Sequence, residues 1–104
     1  MKKTLPFREV LSDNYSTRIF SENLNESELK WHFDNEYREV TFLHETDWKF
    51  QMDNELPIEI TKDLKIIIPE GQYHRILKGT GDLRVRVRKI NKTRLLPHTH
   101  EVKQ

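Results

Sequence analysis

The stretch at residues 83–90, which reads LRVRVRKI, alternates apolar and basic side chains along its length. Successive side chains of a β-strand point to opposite faces of a sheet, so this pattern places three apolar residues on one face and three arginines on the other. Residues 47–53, DWKFQMD, alternate in the same way. A period of two is typical of half-buried strands and not of an amphipathic helix, so both stretches are predicted to be β-strands.

Several further stretches have strand character and are separated by turn residues such as Pro57, Gly79 and Gly81; they cover residues 39–45, 58–61, 64–69 and 73–79. The best helix candidate is residues 21–31, a short polar segment in which Ser27 would cap one turn. Residues 4–11 fit either a strand or a turn. At least five short strands at hairpin-like spacing predict an all-β sandwich or small barrel.

The arginines of residues 84–88 have two interpretations. Charged side chains on an edge strand discourage pairing with another sheet, and this interpretation is favoured here. The alternative is a basic stripe that binds phosphate groups or nucleic acid.

The composition narrows the class of protein. A length of 104 residues fits one domain. The absence of cysteine excludes disulfides, thiolate zinc sites and cysteine nucleophiles. The start of the chain has no apolar run of signal-peptide length, and no segment has the roughly 20 apolar residues that span a bilayer, so a cytoplasmic protein is expected. Charged residues make up 34% of the chain but the net charge is only +1, which argues against a nucleic-acid partner.

Two patches carry residue patterns that go together. The first is His32-x-Asp34, followed after four residues by Glu39 and then by the strand VTFL. The second is LKIIIPEGQYH, in which an apolar strand leads into Pro69-x-Gly71-x-x-His74. Over residues 28–90 these patches resemble the cupin superfamily. Its usual first motif has two histidines one residue apart and a glutamate three or four residues later, and its second has Pro-x-Gly-x-x-His.

The chain departs from these motifs at three points. Asp34 stands where the second histidine is usual, and the glycine of the turn after the first motif is missing from HETDW. The glycine before the second motif is replaced near Lys62-Asp63. The resemblance implies a single-domain double-stranded β-helix, also called a jelly-roll barrel, with an N-terminal strand or arm at residues 1–27, a barrel core at 28–90 and a tail at 91–104. The histidines at 98 and 100 have metal-like spacing but belong to this tail.

The chemistry of the two patches agrees with a metal site. A strand sends alternate residues to one face, so His32 and Asp34 can converge in the barrel interior. Glu39 can return to the same point from the next strand, and His74 can reach it from an opposite strand. Two imidazoles with one or two carboxylates suit Fe(II), Mn(II), Zn(II) or Ni(II), as a Lewis acid or an oxygen-binding centre.

Each proposed ligand also has a structural interpretation. The histidines could belong to turns, Asp34 could be a surface carboxylate, and Glu39 could pair with Arg38 or Arg75. Glu36 has the side-chain parity of His32 and could replace Glu39.

Gln51, Arg75 and Trp48 are the candidate substrate-binding residues. Gln51 and Arg75 could orient an anionic or carbonyl ligand through hydrogen bonds. Trp48, with Trp31, Phe50 and Tyr73, could wall a ligand cavity, although such aromatic residues are more often core.

Three functions remain open. The first is a small metal-dependent oxygenase or isomerase that acts on a small-molecule ligand. The second is a ligand-binding module without catalysis, and the third is a metal-free cupin that serves as a structural dimer. A homodimer is expected because small cupins commonly associate through their sheets, with residues 1–25 available to supply a strand.

Overall fold

The computed structural model describes residues 5–90, so the predicted tail at 91–104 lies outside the described residues. The chain forms two antiparallel sheets, with strand orders β1-β2-β8-β3-β6 and β5-β4-β7. The strands are β1 (Arg8–Leu11), β2 (Ser16–Phe20), β3 (Arg38–Phe42), β4 (Thr46–Met52), β5 (Ile58–Ile60), β6 (Lys65–Ile68), β7 (His74–Leu77) and β8 (Leu83–Lys89).

The core lies between the two sheets. Each sheet contributes the alternate apolar residues of its strands, as the period-two pattern predicts. Phe42 of the larger sheet meets Phe50 of the smaller one edge to face, with ring centroids 6.3 Å apart. The prediction of an all-β fold is confirmed. Within residues 5–90 no ladder of strand pairs joins the two sheets, so the architecture is a sandwich that is open along its sides.

Strand β8 corrects one interpretation of the sequence. Its apolar residues are buried and its arginines are exposed, in agreement with the alternation. However, β8 pairs with β2 on one side and β3 on the other, so it is the central strand of the larger sheet. The edge-strand interpretation of the arginines is therefore wrong. Their charges cover the outer face of the sheet and do not protect a free edge.

The N-terminal segment is part of the sheet. Of residues 4–11, for which a strand or a turn was predicted, Arg8–Leu11 form the strand β1, which pairs with β2. The helix candidate contains only a short 3₁₀ turn, Glu26–Glu28. Its cap is Asn25 and not Ser27, because the Asn25 side chain accepts a hydrogen bond from the Ser27 backbone N–H at 2.9 Å. No helix among the described residues is long and apolar enough to cross a membrane.

The turn before β7 is fixed by glycine and by long-range backbone bonds. Gly71 has a φ of +80°, a conformation that residues with a Cβ rarely adopt. Its N–H donates to the Asp34 carbonyl at 2.8 Å, which joins this turn to the segment before β3.

Trp48 occupies the centre of the core. Its side chain is fully buried, and its indole Nε1–H donates to the Gly81 carbonyl at 3.0 Å. The indole therefore packs between the sheets and also ties the turn before β8 to β4. This role is structural.

We expect Trp48→Phe to lower the free energy of unfolding by about 1–3 kcal/mol, because it leaves the Gly81 carbonyl without its donor and reduces core volume. Trp31→Phe is the matched control. Trp31 is exposed and carries the Arg75 guanidinium above its ring, so the loss there should stay below about 1 kcal/mol. Equal losses for the two variants in urea unfolding would contradict the assignment of Trp48 to the core.

Candidate metal centre

Three of the sequence-predicted ligands meet at one end of the sandwich. One ligand atom from each of His32, Asp34 and His74 lies within 4.8 Å of the other two. His32 and Asp34 come from the segment before β3, and His74 begins β7. His74 is buried, Asp34 is half-buried and His32 is exposed, so the cluster extends from the interior towards solvent.

The backbone explains why the two distant histidines meet. The His32 N–H donates to the His74 carbonyl at 3.1 Å, and the His74 N–H donates to the His32 carbonyl at 2.9 Å. This reciprocal pair is an isolated antiparallel bridge. It holds the imidazoles side by side, with ring centroids 4.3 Å apart.

Both imidazoles are oriented through Nδ1. In His74 this atom lies 2.9 Å from the Gln72 carbonyl, and in His32 it lies 3.0 Å from the Lys30 carbonyl. Because a carbonyl oxygen only accepts, each Nδ1 is assigned the proton, and in the neutral form of the ring Nε2 keeps its lone pair. A backbone carbonyl on the far nitrogen is the arrangement that orients histidine ligands of metals.

Asp34 divides its two oxygens between different tasks. Oδ1 lies 3.2 Å from Arg38 Nη1 in an ion pair. Oδ2 is buried, has no hydrogen-bond partner, and lies 3.5 Å from Nε2 of His74. With the His74 proton on Nδ1, two lone pairs face each other across this gap. A cation placed between them would satisfy both.

The protonation state of His74 agrees with this geometry. Burial lowers the pKa of His74 below its ordinary value, because the charged imidazolium would lose its hydration. The hydrogen bond to the Gln72 carbonyl and the charge of Asp34 act in the opposite direction, while His32 and Arg38 add to the lowering. His74 is therefore neutral at neutral pH, as a metal ligand must be.

Arg38 is the site residue that the sequence analysis missed. The first motif allows three or four residues before its glutamate, and the shorter spacing reaches Arg38. On β3, Arg38 shares the inward face with Val40 and Phe42, and its Nε donates to Glu36 Oε2 at 2.8 Å. Strand parity identifies Arg38 only once Val40, two residues further along β3, is known to be buried. The Arg38 guanidinium therefore lies beside the cluster, at the place where the Glu39 carboxylate was expected as the fourth ligand.

Glu39, proposed as a ligand, is not brought to the cluster. It follows Arg38 on β3 and so faces the outer side of the sheet, where its Oε1 accepts from Arg88 Nη2 at 2.8 Å. The expected ion pair forms, but with a residue of β8. Glu36 is also engaged elsewhere, because it pairs with Arg38 and Lys89.

The three candidate substrate-binding residues lie outside the cluster. Arg75 Nε donates to Gln51 Oε1 at 3.0 Å, and the guanidinium stacks 4.4 Å above the Trp31 ring. Arg75 alternates with the buried His74 along β7, so it faces away from the cluster. Trp48 fills the core. None of the three lines the cavity beside the cluster.

That cavity occupies the space between the sheets and has a volume of about 570 Å³. His32, Asp34 and His74 form part of its wall together with Arg38. The volume falls within the range of small-molecule binding sites.

Comparison with known proteins points to one fold. An RmlC-like cupin family protein with a double-stranded β-helix fold from Methanocaldococcus jannaschii aligns over 91% of this chain and 90% of its own, with a TM-score of 0.60 and 10% identity. The chain has the cupin fold. Neither a family model nor a curated protein sequence matches it. The predicted resemblance to the cupin superfamily is thus confirmed for the architecture.

Two enzymes have a similar structure. HppE, solved in its Fe(II) form with substrate, aligns over 86% of this chain and 56% of its own, with a TM-score of 0.60 and 7% identity. The DMSP lyase DddQ from Ruegeria pomeroyi aligns over 82% and 42%, with a TM-score of 0.59 and 13% identity. The chain therefore spans only about half the length of these enzymes, and the likeness concerns their fold.

The pKa of His74 generates a prediction for the metal-free protein. Because folding lowers this pKa below its ordinary value of 6.5, the unfolded chain binds the proton more readily. The contribution of neutral His74 to the free energy of unfolding is therefore complete above pH 6.5. It decreases as the pH falls below that value. We expect urea unfolding in the presence of a chelator to show this loss between about pH 7 and about pH 5.

His74→Gln should remove this part of the pH dependence, whereas His44→Gln should retain it, since His44 lies outside the cluster and bonds to the Arg84 backbone N–H. An unchanged pH profile in His74→Gln would show that His74 does not resist protonation in the folded state.

Proposed function

We propose that this cupin binds one divalent metal ion through His32, Asp34 and His74 and binds a small-molecule ligand beside it in the cavity. The strongest support is the buried Asp34 Oδ2, which has no hydrogen-bond partner and faces Nε2 of His74 at 3.5 Å. A buried polar atom without a partner lowers the stability of the fold. A cation at this position would interact with Asp34 Oδ2 and offset that cost.

The donor set narrows the identity of the metal. Two imidazoles and one carboxylate suit Fe(II), Mn(II), Zn(II) or Ni(II), and this set leaves coordination positions open to a ligand. When bound, such an ion supplies Lewis acidity, which polarises an oxygen atom of the ligand.

The residues around the ion would orient its ligands and exclude water from the cavity. Arg38 holds Oδ1 of Asp34 and so directs Oδ2 towards the histidines. The Gln72 and Lys30 carbonyls fix the imidazole tautomers. The apolar walls of the cavity would keep much of the bound ligand away from water.

The enzymatic version of this proposal is a metal-dependent oxygenase or isomerase, and its rival is a binding module. The likeness to HppE and to the DMSP lyase favours an enzyme, because both are catalysts built on this fold. Metal-dependent turnover of a ligand that binds in the cavity separates the two versions. Binding without turnover supports the module.

We expect the untagged protein to bind about one equivalent of Zn(II) or Mn(II), measured by elemental analysis and calorimetry. Asp34→Asn and His74→Ala should each weaken metal affinity by about tenfold or more, because each removes one of the three proposed ligands.

Matched substitutions provide the controls. Glu39→Gln makes the same carboxylate-to-amide change outside the cluster, and His44→Ala removes a histidine outside it. Both should bind metal like the unchanged protein. The proposed centre is wrong if Glu39→Gln loses metal while Asp34→Asn keeps it. Absence of metal binding in the unchanged protein would favour the metal-free structural cupin.

We also propose that the chain forms a homodimer through β1. This strand ends the larger sheet, and all four of its residues are exposed, including Val10 at 57% and Leu11 at 77%. The apolar half of this edge strand, Val10 and Leu11, is the part that would pair with a second copy, whereas Arg8 and Glu9 are charged.

Sedimentation at micromolar concentration should therefore give the mass of a dimer, and Leu11→Lys should shift it towards the monomer by adding charge at the contact. The control Leu56→Lys changes another exposed leucine, outside β1, and should remain dimeric. A monomeric unchanged protein would refute this assembly.

A further inference from the structure

The cavity wall has two chemically different parts. The ligand cluster and Arg38 form a polar part, and most of the other lining side chains are apolar. Along β7, Ile76 follows His74 on the inward face, and along β3, Val40 follows Arg38 in the same way. Residues two apart on a strand are about 6.7 Å apart, so the apolar surface begins directly beside the polar part. Phe50 continues it, with its ring stacked on His74 at a centroid distance of 5.9 Å.

The charges in the wall favour an anion once the metal is present. Without an ion, the cations Arg18, Lys30 and Arg38 are balanced by the carboxylates Glu9, Glu28 and Asp34. A divalent ion adds two positive charges that no remaining side chain in the wall offsets. A ligand that carries negative charge into this partly enclosed space would restore the balance.

The size of the cavity excludes a small anion as a good fit. A volume of about 570 Å³ is in the range that holds drug-sized ligands. An acetate ion at the metal would leave most of the apolar wall in contact with water. The cavity wall around His74 and Ile76 instead provides adjoining places for a charged head and an apolar body.

We infer that the ligand of this site is an amphipathic carboxylate, whose carboxylate group binds the metal and whose hydrocarbon body lies between the sheets. The inference rests on the proposed function, because the metal supplies the binding partner of the head group. In this proposal the hydrocarbon body contacts the apolar wall, which includes Val40, Phe50 and Ile76. The ligand-binding residues proposed from the sequence, Gln51, Arg75 and Trp48, do not line the cavity.

The test is calorimetry on the zinc-loaded protein with straight-chain carboxylates from acetate to octanoate. Each added methylene should raise affinity by about fourfold, since burial of a CH₂ contributes about 0.8 kcal/mol, until the wall is covered. Alkylammonium ions with the same chains should show much weaker binding. Ile76→Ser should weaken octanoate binding by about tenfold and leave acetate binding unchanged.

Ile66→Ser is the matched control, because Ile66 is also half-buried but does not line the cavity. Affinity that does not change with chain length, or that is equal for alkylammonium ions, would overturn the ligand class while the zinc site stands. Failure of zinc itself to bind would overturn the proposed function, and this inference with it.

Discussion

The reciprocal backbone bond between His32 and His74 is the contact on which the site depends. These residues are separated by four strands in sequence, yet each N–H donates to the carbonyl of the other. A third bond, from the Gly71 N–H to the Asp34 carbonyl, fixes the adjacent turn. Together they place two side chains of the segment before β3 against the first residue of β7. The core positions the sheets, but these bonds position the ligand atoms.

The same contacts create an electrostatic deficit. Burial keeps His74 neutral, its Nδ1 is engaged by a carbonyl, and its Nε2 faces an Asp34 oxygen without a hydrogen-bond donor. Arg38 compensates only the other oxygen of Asp34. Buried polar atoms without a partner are rare in folded proteins, and a bound ion is one of the features that account for them. In the proposed metal site, a cation between Asp34 Oδ2 and His74 Nε2 would satisfy both atoms.

Much of the fold could be predicted from the sequence because alternation is a local signal. The strands at residues 47–53 and 83–90 appear as β4 and β8, with the predicted faces buried. The order of the strands is not a local property, and so β8 was misplaced at an edge when it is central. The cap at Asn25 was missed because several polar residues near the short turn are equally good candidates.

Part of the site could also be predicted, because motif spacing is a local signal whereas the face of a strand that becomes buried is not. His32, Asp34 and His74 stand at motif spacings, and the structure brings them together. Glu39 and Arg38 differ by one position, and a shift of one residue exchanges the faces of a strand. Parity relative to the buried Val40 decides in favour of Arg38, but this burial is known only from the packed structure. Gln51, Arg75 and Trp48 could not be placed because the direction of each side chain depends on the pairing of β4 and β7.

The most direct test is an anomalous-scattering map of crystals grown with Zn(II), recorded at the zinc edge. We expect a single strong peak bounded by His32, Asp34 and His74, with nitrogen and oxygen ligands at about 2.0–2.2 Å. A peak at another cluster, such as the histidines at 98 and 100, or none within reach of His74, would contradict it.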